Sequence, residues 1–243
     1  MDKAKEYMET VQGLVQRALD TQLGAVCAAA RCMAEALKND GRIYVFGTGH
    51  SHVFAEELFY RAGGLASIHP ILEEPLMLHS GAAFSTEMER LEPYGALIVE
   101  EYGLTSGDVL VAASNSGRNG AIVEVACQAR ARGVTVIALI NLTQARQGVS
   151  RHSSGKNLHQ IADVVLDNLG IEGDAALEVG NYRVGPTSTV MGALLLNATV
   201  VQTVQLLMDA GVNAEVFTSS NMCGGDEKNK ALIQKYKGVI RSL

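Results

Sequence analysis

Twice in this chain a short apolar run leads into a glycine–serine loop, and a helical pattern follows. Residues 42–46 (RIYVF) run into GTGHSH at 47–52, and residues 108–113 (DVLVAA) run into SNSGRN at 114–119. A buried run of five or six residues followed by a loop and a helix is one step of a βαβ unit. Repeated steps predict an α/β fold with a parallel sheet and right-handed crossovers. In such sheets ligands sit outside the carboxyl ends of the strands. Both loops fall at predicted carboxyl ends, so both face the same edge of the sheet.

The rest of the chain extends the pattern. Residues 2–38 read as helix in two pieces, stopped by Asn39-Asp40-Gly41. A helix follows the first loop to about Arg61, and residues 66–71 form a second strand. Residues 75–107 carry irregular and helical pieces without a clear period. After the second loop come a helix over 121–132, a strand over 134–140 and another over 161–166. A glycine-punctuated loop, 170–185, leads to Pro186-Thr187-Ser188, which opens a long helix ending near Ala210. A last helix covers 226–236.

Composition narrows the partners. The chain has 243 residues, 47% hydrophobic and 19% charged, enough to bury a large core, and only 5% aromatic, so Ala, Val, Ile and Leu must build it. A formal net charge of -6 with no basic run argues against a nucleic-acid partner. Cys27, Cys32, Cys127 and Cys223 form no CxxC pair and read as reduced thiols rather than metal ligands or disulfides. The opening MDKAKEYMET lacks the apolar run of a signal peptide, so a cytoplasmic location is expected. The apolar stretch 190–207 holds Asn197, Thr199, Gln202, Thr203 and Gln205, which fits a buried core helix and not a membrane span.

The loops carry the chemistry. Ser114, Ser116 and Asn119 put short polar side chains around Gly117, which lets the backbone approach an anion. The helix beyond aims its free N–H groups at the same point. A helix cap needs one such residue; here four, with Asn115 the fourth, surround a glycine. In the first loop Gly47 and Gly49 permit a sharp turn and Ser51 can face the site. It lacks the third glycine of a dinucleotide fingerprint and the GK[ST] of a phosphate-binding P-loop.

Strand–GTGHS–helix, strand–SNSGRN–helix and PTST opening a long apolar helix, in that order, resemble the SIS (sugar isomerase) family over roughly residues 40–210. Residues 62–70 and 78–81 are similar to the region after the first helix of arabinose 5-phosphate isomerases. This resemblance implies a three-layer αβα sandwich, a phosphorylated sugar as ligand, no cofactor, no metal, and a homodimer or homotetramer. It divides the chain into an N-terminal helical segment, 1–40, and a sugar-binding domain, 41–243. By carry-over, Ser51, Ser114, Ser116 and Asn119 hold the phosphate. Gly47, Thr48, Gly49, Asn115, Thr187 and Ser188 line the sugar.

Aldose–ketose isomerisation needs a base beside the C1–C2 bond, commonly a carboxylate. Glu57 and Glu56, in a segment AEEL that resembles phosphoheptose isomerases, are the candidates, with His79 assisting at the ring or carbonyl oxygen. Those isomerases carry a histidine on the helix corresponding to 187–207, and this chain has none there. His50, His52 and Glu56 at metal-like spacing lack a further ligand. Two other classes share the loops: a lyase like the N-acetylmuramic acid 6-phosphate etherases, which have Gly-Arg where this chain has His52-Val53, and a phosphosugar sensor without catalysis.

Overall fold

The computed structural model describes residues 2–243. Helices α1 (Lys3–Thr21) and α2 (Leu23–Lys38) come first, then β1 (Ile43–Gly47), α3 (Val53–Leu58) and β2 (Ile68–Ile71). Two helices follow, α4 (Ala82–Met88) and α5 (Glu92–Tyr102). The βα pattern then resumes with β3 (Val109–Ala113), α6 (Gly120–Ala131), β4 (Thr135–Ile140), α7 (Leu142–Gln147) and β5 (Val164–Asp167). A hairpin of β6 (Leu177–Val179) and β7 (Tyr182–Val184) precedes the long α8 (Ser188–Asp209) and the closing α9 (Gly225–Tyr236).

The main sheet pairs its strands in parallel in the order β2-β1-β3-β4-β5. Both faces are covered, which is why the strands read as continuous apolar runs. Ile43, Val45, Val109, Val111, Ile137 and Leu139 face a layer built from α1, α2, α3 and α8, filled by Met33, Phe54, Leu58, Met191, Leu195 and Val200. Their neighbours Tyr44, Phe46, Leu110, Ala112, Val136 and Ala138 face α5 and α6, through Ile98, Val99, Ile122, Val125 and Ala129. The alternation of odd and even positions is the strand pleat. The result is the expected three-layer α/β sandwich.

From β1 the chain moves outward to β2, then returns to β3 on the other side. The strand order therefore reverses between β1 and β3, and the crevice at their carboxyl ends is the switch point where α/β sheets bind ligands.

Four details differ from the sequence reading. α3 stops at Leu58, short of Arg61, because Phe59 is extended and Tyr60 takes φ 47°, its ring set edge-on against Phe217. β2 begins two residues late, at Ile68, since Leu65 and Ala66 pair instead with the segment at 215–217. Residues 158–160 form a 3₁₀ turn, which delays β5 to Val164. The loop at 170–185 contains the β6–β7 hairpin, whose strands are too short for the period-2 signal to register.

α8 is long and apolar enough to cross a membrane by length and composition alone. Here it packs on α2 and the sheet, and its interior threonines return their hydroxyls to the helix, Thr199 to the Leu195 carbonyl (2.8 Å) and Thr203 to that of Thr199 (2.7 Å).

Candidate functional site

The two loops leave β1 and β3 side by side. The first folds at once into a 3₁₀ turn, Gly49–His52, then α3. Gly47 makes that turn possible: a Cβ there would lie 2.2 Å from the Ser51 carbonyl oxygen, so no other residue fits. In the second loop Gly117 takes φ +61°, a left-handed conformation natural to glycine, and its N–H donates to Ser114 Oγ at 3.1 Å. Its own carbonyl accepts from the Leu158 N–H (2.8 Å). The loop is therefore held from both sides; Ser114 is buried beside the cleft described below, and Ser116, half-buried, does not line it.

A narrow cleft, with about 20 Å³ of space, lies between the loops and the start of α8. His50, Ser51, Phe54, Ser114, Asn115 and Ser188 line it, with Leu139, Asn168 and Thr189. Ser51, Ser114, Asn115 and Ser188, drawn from regions up to 137 residues apart in sequence, thus share one cavity. Thr187, fully buried, stands at the N-cap position of α8 beside them, its hydroxyl making no capping bond. Asn115 is fixed by side chains from the end of β5 and from α7: its Oδ1 accepts from Asn168 Nδ2 (3.0 Å) and its Nδ2 donates to Gln144 Oε1 (3.1 Å).

Thr48 and Asn119 face a different partner, Glu89. Thr48 Oγ1 donates to Glu89 Oε2 (3.1 Å), and Asn119 Nδ2 donates to Glu89 Oε1 (2.7 Å). Arg151 Nη1 completes the group by donating to Asn119 Oδ1 (2.8 Å). One carboxylate therefore ties the loop after β1 to the loop after β3, across the switch point. Burial pushes its carboxyl above the ordinary range, against the opposing pull of the Thr48 hydroxyl and the charges of Arg90 and Arg151. Glu89 follows the end of α4, inside the stretch that reads as irregular. No local pattern marks it, because both its partners are 30 or more residues away.

The carboxylates put forward by the sequence lie elsewhere. Glu57 pairs with Arg61 and accepts from Asn197 Nδ2 at 2.8 Å. Asn197 is nine residues along α8 from Ser188, about 13 Å of helix. Glu56 is half exposed, with its Oε1 3.8 Å from His52 Nε2. His79 is exposed on a 3₁₀ turn, its ring centroid 6.5 Å from that of His52. None of the three lines the cleft.

Among the described residues one trio brings potential metal-ligating atoms together, Glu124 and Cys127 on α6 with His152. His152 Nδ1 accepts from the Ser154 N–H (3.1 Å), which leaves the ring proton on Nε2, directed at Glu124 Oε2 (2.7 Å). The trio fastens the segment after α7 to α6.

Comparison with known proteins gives a consistent picture. The family model described as SIS domain matches residues 6–141. A UPF0309 protein of Listeria innocua is 43% identical over 239 residues, 98% of this chain and 97% of the relative. Phosphoheptose isomerase GmhA from Neisseria gonorrhoeae superposes with a TM-score of 0.55 at 19% identity, covering 83% of this chain and 97% of that one. The Vibrio vulnificus NanR protein complexed with ManNAc-6P gives 0.53 at 16% identity, covering 100% of this chain and 70% of its own. The two structural likenesses are likenesses of fold.

Proposed function

This chain belongs to the SIS domain family, and from that premise we propose that it binds a phosphorylated sugar and interconverts its aldose and ketose forms, with Glu89 as the proton-transfer base. One observation carries the reading: a carboxylate with a raised pKa bridges the two glycine loops at the switch point. A module that only binds does not need a carboxyl shifted in this direction.

In this scheme Ser51, Ser114 and Ser116 hold the phosphate, with the N–H groups of the second loop and the start of α6. Asn115, Thr187 and Ser188 face the sugar hydroxyls. Asn119, committed to Glu89 and Arg151, positions the base instead of gripping phosphate. Glu89 takes the proton from C2 of the open-chain aldose. The electron pair left behind forms the enediol double bond as the carbonyl oxygen gains a proton. Return of the carbon proton to C1, with loss of the proton on O2, gives the ketose. A carboxyl raised toward neutrality suits both directions. Neither glutamate lines the cleft; Glu89 is preferred because it bonds both glycine loops, whereas Glu57 is tied to Arg61 and Asn197.

Assembly belongs to the same reading. Val190, Leu194, Val201 and Met208 are exposed on α8 and fall within about 40° of one another around the helix. A long apolar stripe of this kind suits a second copy of the chain, as a dimer or tetramer. A cytoplasmic setting agrees with four unpaired cysteines.

The test is a panel of sugar phosphates screened by thermal shift, then incubated with the protein in deuterium oxide. Deuterium entering at C1 or C2 is the expected result. Tight binding without exchange across the panel makes the site a phosphosugar sensor, or an etherase if lactyl-ether sugar phosphates are cleaved.

A further inference from the structure

We infer that the cavity between the amino end of the main sheet and α9 is a second small-molecule site, and that it takes a polyhydroxylated anion, a sugar acid or a sugar phosphate.

This cavity has about 520 Å³ of space, within the roughly 300–1,000 Å³ of small-molecule pockets. The cleft at the carboxyl ends has about 20 Å³. Four parts of the chain wall it: the end of α2 with the turn into β1, the start of β2, the end of α8 with the segment after it, and α9. Beyond β2 the sheet has no further strand, and the segment after α8 lies there instead. The Ala66 N–H donates to the Glu215 carbonyl (2.8 Å) and the Phe217 N–H to that of Gly64 (3.0 Å). Lys235 Nζ and Tyr236 Oη then donate to the Glu215 carboxylate, at 2.7 and 2.6 Å, which draws α9 over the opening. Arg42 precedes β1 and Thr48 follows it, about 20 Å of extended chain apart. The cavity and the cleft are therefore at opposite edges of the sheet, and a sugar-sized ligand in one is out of reach of the other.

His69 shows what the cavity lacks. It is 6% exposed, with its ring against that of Tyr44, centroids 5.2 Å apart, and among the described residues nothing hydrogen-bonds its ring nitrogens. Those nitrogens are not sealed off, and the space beside them is the cavity that His69 lines. Buried polar groups almost always have partners, so the partner here has to come from the cavity. Burial, and after it the charge of Arg42, lower the His69 pKa to about 4. The imidazole is thus neutral at physiological pH, with one nitrogen a donor and the other an acceptor. A hydroxyl, itself both donor and acceptor, matches that pair. Ser67, also buried, adds a hydroxyl to the same wall, and Leu65 and Leu207 give a carbon skeleton an apolar surface.

The charge comes from the rim. Lys235 and Glu215 compensate one another. The Arg42 guanidinium has no such partner: Asp108 accepts the backbone N–H of Arg42 instead (2.9 Å), and the side chain makes one bond, from Nη1 to Tyr44 Oη (3.3 Å). Its remaining N–H groups are free for the paired oxygens of a carboxylate or a phosphate. Asp40, also on the rim, is exposed and leaves no mark on His69, whereas the Arg42 charge is felt there. A ligand whose acid group meets Arg42 therefore places its hydroxyls at His69 and Ser67.

The test uses three probes that share one open-chain polyol body and differ in charge: gluconate, glucitol 6-phosphate and neutral glucitol. The chain has 6 histidines, and the imidazole signal of His69 is identified in nitrogen NMR spectra by its absence from His69→Gln. The expected result is a saturable shift of that signal with gluconate or glucitol 6-phosphate, and at least about tenfold weaker binding of glucitol. Whichever acid binds more tightly identifies the anionic group. Arg42→Gln, at an exposed position, weakens that anion at least about tenfold and leaves glucitol unchanged. Ser116→Ala, in the second loop, does not alter the titration of the His69 signal, which separates this site from any binding of the same phosphate at the cleft. A His69 signal that neither acid shifts overturns the site, leaving a cavity filled by water alone. Glucitol binding as tightly as the acids, or unaltered anion affinity in Arg42→Gln, overturns the anion assignment. If His69→Gln does not fold, calorimetry of Arg42→Gln against wild type with both acids decides between the same outcomes.

Discussion

Replacing Glu89 with glutamine separates catalysis from architecture. The amide oxygen of Gln can still accept from Asn119 Nδ2, and its N–H can donate to Thr48 Oγ1, so both links between the loops survive. What disappears is the proposed base. A general base contributes roughly a hundred- to ten-thousand-fold in rate, about 2.7–5.5 kcal/mol of barrier. Glu89→Gln should therefore lose that factor in kcat and in deuterium exchange, while sugar phosphate Kd stays within about threefold, under 0.7 kcal/mol. Glu89→Ala is the contrast. It leaves the Thr48 hydroxyl and the Asn119 amide unpaired at roughly 1–3 kcal/mol each, and should lower Tm and weaken binding together. The pH dependence has a definite sign. Burial raises the folded pKa of Glu89, so its contribution to stability is complete below the unfolded value and is lost as pH rises through the folded one. Glu89→Gln cannot ionise, so its Tm relative to wild type should rise as pH increases above about 4.5, the ordinary glutamate value. Turnover within tenfold of wild type, or a Gln variant that becomes relatively less stable as pH rises, would refute the assignment.

Two further outcomes follow from the same geometry. Ser116→Ala removes a donor to a charged oxygen, about 1.5–3 kcal/mol, so calorimetry should show sugar phosphate affinity reduced at least about tenfold with Tm unchanged; an unaltered Kd would make the second loop a helix cap only. Val201→Lys puts a charge in the middle of the exposed α8 stripe and should shift the sedimentation coefficient from oligomer to monomer at micromolar concentration, whereas a wild-type chain that already sediments as a monomer removes the assembly.

Much of this protein is legible in its sequence. Apolar runs of five or six residues, each ended by glycine and serine, read as buried parallel strands leading into helices. Apolar–polar alternation is absent from them because both sheet faces are covered. Gly47 and Gly117 are recognisable because the turns they permit are decided by their immediate neighbours. The same locality places Ser51, Ser114 and Asn115 at strand ends, and hence on one edge. Tertiary structure alone decides which acid bridges the two loops. Glu89 is 41 residues from Thr48 and 30 from Asn119, in a segment without a period, and reaches both only because the strand order reverses between β1 and β3. Glu57 sits on a helix that starts at the first loop, yet the rotation of that helix turns it toward Asn197 on α8. Asp174 meets Ser188 because a hairpin folds the chain back on itself. Backbone preference acts over a few residues and writes itself into the sequence as pattern; the convergence of side chains depends on crossovers tens of residues long, whose register is settled only when the whole core packs.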